Sequence, residues 1–203
     1  MNRVLSSGFA AILCLTVVAC GGGDSSDADD SAPAPAPAAA PAAAPAATPS
    51  PGSLSTPDWM SVDESAQTVT IDIAAGQTDA NNHWNLNGLS NGAATIVVPE
   101  GYAVTIHFSN ADPVNIHSLA VIDATGGTMP AMFNDVSPAF DGAETSNPTS
   151  MTEATATGAS ETLTFTASAA GDYDLVCMIP AHALTGMWIG FDVSASGEVG
   201  VRM

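Results

Sequence analysis

Across 203 residues the chain carries 2 Lys or Arg against 21 Asp or Glu, a formal charge of −19 at pH 7. So one-signed a surface repels polyanions and argues against nucleic acid as a partner, while its field attracts basic proteins. Acidity also serves solubility, or a saline habitat where salt screens self-repulsion, and composition does not separate these readings.

Arg3 is followed by an apolar run from Phe9 to Val18, too short for a permanent span and the length of a signal-peptide core. The run ends in Val17, Val18, Ala19 and Cys20, which resembles a bacterial lipobox, where small residues precede a cysteine that is lipidated and becomes the new first residue. Residues 1–19 are therefore expected to be a lipoprotein signal peptide, with Cys20 lipidated. Their removal takes away Arg3 and no acid, leaving Arg202 as the one strong cation of the mature chain. Gly21 to Asp30 is mostly Gly, Ser and Asp, and Ala32 to Pro51 is almost entirely Ala and Pro, so neither stretch can build a core. Residues 20–55 read as a tether. Its prolines favour an extended path of roughly 3 Å per residue, enough to hold a domain several tens of Å from a membrane. The expected location is outside the cytoplasm, on a membrane facing the periplasm or cell surface.

Residues 56–203 suit one domain with one core. Thr68 to Ile73 alternates, placing Val69, Ile71 and Ile73 on one face; Val104, Ile106 and Phe108 alternate with Thr105, His107 and Ser109; Leu163 and Phe165 alternate with Thr162, Thr164 and Thr166. Further strands are expected at Trp84 to Leu89, Thr95 to Val98, Ser118 to Ile122, Tyr173 to Val176 and Met187 to Val193. Short strands at this spacing, without a long amphipathic helix, predict an all-β sandwich or barrel. Ala124 to Ser160, rich in Gly, Pro, Thr and Ser, reads as a long loop insertion with a short helix near Ala131 to Asp135.

Cys14 and Cys20 belong to the export segment, so the domain keeps one cysteine, Cys177. A lone thiol in an oxidising compartment is a liability unless it is buried or held by a metal. The loop from Cys177 to Met187 brings a thiol, the imidazole of His182 and a thioether onto one short connection between strands, with turn residues Pro180 and Gly186. Two imidazoles and a thiolate in a trigonal set, with a distant axial thioether, accommodate both copper oxidation states with little rearrangement. His117, at the head of an apolar strand, supplies the second imidazole. The candidate ligands are therefore His117, Cys177, His182 and Met187, for one mononuclear type 1 copper. His83 and His107 read as surface or structural residues, and Trp188 as a core anchor beside the site. Ser118 is placed to tune the site by hydrogen bonding.

The Cys-x4-His-x4-Met spacing, with Asn115, Ile116, His117 and Ser118 upstream and Gly186, Met187 and Trp188 downstream, resembles cupredoxins, and among them the sulfocyanin and rusticyanin group, over roughly residues 67–195. The resemblance implies a Greek-key β-sandwich and a blue-copper protein that carries single electrons in a periplasmic or cell-surface respiratory chain. Ala181 departs from the glycine that sulfocyanin-like loops usually hold before the histidine. A binuclear oxidase-type centre needs a second loop cysteine, where this chain has Pro180 and Ala181, and a nitrite-reductase-type enzyme needs more histidines than His83 and His107. The alternative left open is a non-redox copper-binding or copper-delivery lipoprotein. Redox proteins, among them a basic cytochrome c, are the expected partners of a monomer. Ile179, Pro180, Ala183 and Leu184 are expected to ring an exposed edge of His182 as an uncharged contact for them.

Overall fold

The computed structural model describes residues 53–203; the signal segment, Cys20 and nearly all of the tether lie outside the described residues. Among the described residues nine strands form: β1 (Met60–Asp63), β2 (Thr68–Ala75), β3 (Thr95–Pro99), β4 (Ala103–Asn110), β5 (Ala120–Asp123), β6 (Ser160–Thr166), β7 (Gly171–Val176), β8 (Trp188–Ser194) and β9 (Gly200–Arg202). They make a four-stranded sheet ordered β1-β2-β4-β6 and a five-stranded sheet ordered β5-β7-β8-β3-β9. The β2–β4 and β3–β8 pairs are parallel and the rest antiparallel, because the chain repeatedly crosses from one sheet to the other. This is the all-β sandwich that the alternating patterns predict.

Register explains the core. Val69, Val104 and Phe165 stand side by side across β2, β4 and β6, as do Ile71, Ile106 and Leu163, all buried. Opposite them the inner face of the second sheet offers Ile96, Leu175, Ile189, Phe191 and Val201. A one-residue slip would turn each set outward, so burial pins the register. Ser55 exchanges backbone bonds with Val201, so folded structure reaches at least that far toward the amino terminus.

The structure corrects two local expectations. Trp84 to Leu89 is not a strand: it makes only isolated bridges, Leu86 to Ala75 and Leu86 to Leu89, and a short 3-10 turn over Ala80–His83 precedes it. Asn81, Asn82, His83 and Asn87 all have positive φ, a conformation that asparagine tolerates better than most residues and that breaks an extended path. Ala131 to Asp135 forms no helix. Five residues cannot offset helix nucleation on their own, and Phe133 is held instead in a small cluster with Ile122, Val176 and Met178 on the outer face of the second sheet. The edge strands β1 and β9 are too short to show an alternating pattern in the sequence.

The 124–159 excursion is not a loose loop. Its first part covers that outer face. Farther on, Phe140 stacks on Phe165 at 5.5 Å between ring centroids, and Thr145 donates its backbone N–H to Leu119 O. The backbone N–H of His117 donates to Thr155 O at 3.1 Å. The insertion thus braces the segment that carries His117.

Candidate metal centre

Cys177 directly follows β7 and Met187 directly precedes β8. Antiparallel pairing of Val176 with Trp188 sets the two ends of the connecting loop side by side. Cys177 N–H donates to Met187 O at 3.1 Å, and Met187 N–H to His182 O at 3.0 Å, so the loop is tied across its base and its middle. His117 reaches the same place from the β4–β5 connection.

The Nδ1 atoms of His117 and His182 are 3.2 Å apart, and the Cys177 sulfur is 3.8 Å from the first and 3.4 Å from the second. Among the described residues this is the group of His, Cys, Asp or Glu that could hold a metal ion, and all three members are buried. A point equidistant from the three atoms lies about 2 Å from each, the length of a metal–imidazole bond. Buried lone pairs this close repel unless a proton or a cation stands between them. Two imidazoles and a thiolate select copper or zinc, and a trigonal set with a thioether beside it is a copper arrangement. Met187, fully buried at the end of the loop, supplies the thioether. The residues therefore fit the copper that the loop spacing implies.

Electrostatics keep the site ready for a cation. Burial drives His182 down to about 3, helped by the neighbouring His117. Burial also lowers His117, although Asp112 opposes the change. Both imidazoles are neutral at pH 7, the form that donates a lone pair. Burial pushes the Cys177 thiol up, outweighing the backbone N–H bonds of Ser118 and Ile179. Ser118 does what its position suggests: its N–H donates to the sulfur at 3.4 Å, while its hydroxyl accepts Met178 N–H at 2.9 Å.

The expected exposed ring around His182 needs correction. Leu184 is 56% exposed and Pro180 half-buried, but Ile179 and Ala183 are buried and His182 itself is only 7% exposed. The reason is Trp84, whose half-buried ring meets the His182 ring edge-on with centroids 3.8 Å apart. Asn81 holds this cover in place, its side-chain amide donating to Trp84 O at 2.8 Å and to Thr185 O at 2.9 Å.

Ala181 adopts φ +69, left-handed backbone that penalises an L-residue by about 1–2 kcal/mol. The methyl group that departs from the resembling loops therefore sits where glycine is at ease, and it removes no ligand. His83 bonds Gly76 O and Asp79, and His107 pairs with Asp72 at the surface, so both are structural. Trp188 is half-buried against the outer cluster.

Two residues at the site escape sequence reasoning. Trp84 reads there as part of a strand. Asp112 is not singled out there at all, yet its carboxylate lies 2.9 Å from Nε2 of His117 with both side chains almost wholly buried.

Residues 55–202 match the family described as the sulfocyanin (SoxE) domain. A sulfocyanin of Sulfolobus acidocaldarius is 34% identical over 128 residues, covering 61% of this chain and 62% of that protein. The chain thus matches about three fifths of the length of that curated relative. Among solved structures, a reduced auracyanin of Roseiflexus castenholzii is similar at 24% identity, covering 62% of this chain and 96% of its own, with a TM-score of 0.42. Rusticyanin of Thiobacillus ferrooxidans is similar at 21% identity, covering 68% and 87%, with a TM-score of 0.40.

Proposed function

The chain belongs to the sulfocyanin (SoxE) domain family of blue-copper cupredoxins, and on that premise we propose that it carries single electrons between redox proteins in a respiratory chain outside the cytoplasm. The observation that carries this reading is the convergence of His117, Cys177 and His182, whose ligand atoms lie within 4.8 Å of one another in a buried pocket. Bound copper supplies the one-electron couple. The protein's part is to hold its donors still: tying the loop at Met187 and bracing His117 from Thr155 keeps rearrangement small between oxidation states. Exclusion of water by Trp84 and the buried loop serves the same end.

An electron carrier must exchange electrons through its surface. Leu184, exposed two residues along from His182, and the half-buried Trp84 ring that meets His182 are apolar groups at this end of the domain. We place the contact there, with acidic residues elsewhere steering a basic partner such as a cytochrome c. In stopped-flow mixing of the copper-loaded chain with a basic cytochrome, raising ionic strength slows association, because the field is screened beyond about 10 Å at 0.1 M salt. Leu184→Asp slows electron transfer at least several-fold while leaving the visible spectrum in place. Salt-independent rates would remove the steering, and a wild-type rate for Leu184→Asp would remove the contact. A copper-loaded chain that gives no reversible one-electron wave but hands its copper to an acceptor would instead indicate copper delivery.

The tether and anchor complete the proposal: Cys20 fixes the chain to a membrane, and the Ala/Pro-rich stretch between it and the folded domain, which begins by Ser55, gives the domain reach. Made in a bacterium that processes lipoproteins, the wild type incorporates labelled fatty acid and sediments with membranes, and Cys20→Ser does neither. Equal labelling of the two would sink the anchor.

A further inference from the structure

Asp112 is a charged side chain in the interior of a strongly acidic domain, only 2% exposed, and among the described residues no lysine or arginine pairs with it. Its surroundings show what keeps it there. Oδ1 accepts the backbone N–H of Val114 at 2.8 Å and of Asn115 at 2.9 Å. Oδ2 faces the Asn115 side-chain amide at 3.1 Å and Nε2 of His117 at 2.9 Å. The backbone N–H of Asp112 in turn donates to Asn110 Oδ1, and the Asn110 amide is tied to the carbonyls of Asn115 and Thr155. Four donors therefore converge on one carboxylate, which is held in place from both sides.

We propose that Asp112 is the positioning residue for the copper site: it selects the His117 tautomer that carries its proton on Nε2, and so presents the Nδ1 lone pair to the metal position. An ionised carboxylate only accepts, so the ring nitrogen facing it must be the donor, and the opposite nitrogen is left bare. That nitrogen is the one that lies 3.2 Å from His182 and 3.8 Å from Cys177. Carboxylate partners of ligating imidazoles also raise ligand basicity, which favours the more highly charged metal. Asp112 thus holds Cu(II) against Cu(I).

An amide cannot substitute. The backbone N–H groups of Val114 and Asn115 demand an oxygen at the Oδ1 position, so Asp112→Asn turns its NH2 group toward His117 and favours the opposite tautomer. The inference rests on His117 being a ligand, and its test is arranged so that the two ideas fail separately. In the copper-free full-length chain, nitrogen-15 NMR of the histidine rings finds His117 protonated on Nε2. A proton on Nδ1 there overturns the proposal even if the loaded protein is blue, and needs no variant to fold. In Asp112→Asn the proton moves to Nδ1, and Cu(II) affinity falls about tenfold or more. A tenfold fall that spares Cu(I) appears as a rise in reduction potential of about 59 mV. A folded Asp112→Asn with wild-type tautomer and wild-type potential would show Asp112 to be merely a turn residue.

Discussion

Replacing Cys177 with alanine removes the visible colour of the copper-loaded protein entirely. The expectation follows from donor chemistry: an intense visible band arises from charge transfer between a thiolate and Cu(II), and imidazole or thioether donors do not supply one. Cys177 is the free cysteine among the described residues, and it is fully buried. No second thiol there can stand in for it. Alanine keeps Cβ, so the loss is confined to one sulfur atom, and the fold is retained because the β7–β8 pairing and the Cys177 N–H bond to Met187 O involve backbone alone. Copper titration followed across the visible range, with circular dichroism as the folding control, reads the result. A folded Cys177→Ala that still turned blue on copper addition would show that the sulfur is not a ligand, and would take the proposed function with it.

The parts of this molecule that are legible in its sequence are those where one local rule acts alone. Val69, Ile71 and Ile73 alternate with polar neighbours, and so do Val104, Ile106 and Phe108; each set is buried where alternation places it. The ligand loop is legible for a similar reason, since thiol, imidazole and thioether recur at fixed spacing between two recognisable strands. Trp84 reads as a strand residue because an apolar residue followed by Asn85 and Leu86 also alternates, and the pattern does not record that the neighbouring asparagines take positive φ. Ile179 and Ala183 read as surface residues because they are adjacent to a ligand, whereas their burial depends on packing from outside the loop. Asp112 is hidden more deeply. Its meeting with His117 depends on how the chain turns between β4 and β5, and an Asp-Pro pair announces only that it turns. Tertiary approach, not local propensity, makes each of these residues what it is.

That approach has one more signature, at Gly76, and it yields the second large expected effect. Gly76 has φ +65, and a Cβ there would stand 2.6 Å from Asp112 Cβ and 3.0 Å from Asp112 Cα. Its N–H donates to Asn85 O and its carbonyl meets His83 Nδ1, so the strand end that presses on Asp112 also anchors the turn carrying Trp84. Gly76→Ala therefore carries two burdens, an alanine in left-handed backbone and a methyl group driven into the backbone of the residue that holds His117. Gly101 separates them: it has φ +85, and a methyl group added there would meet nothing within 4 Å, so Gly101→Ala bears the backbone strain alone. Gly101→Ala is expected to lower stability by about 1 kcal/mol. Gly76→Ala should lose a further ~1–3 kcal/mol from overpacking. It should also shift the visible band and weaken copper binding, because Asp112 cannot retreat without releasing the Nε2 contact, whereas Gly101→Ala keeps the wild-type spectrum. Denaturant midpoints and copper spectra of the two variants, taken side by side, decide the matter. Equal losses with identical spectra would mean that Gly76 serves only its own turn and that the Asp112–His117 pair is held without it.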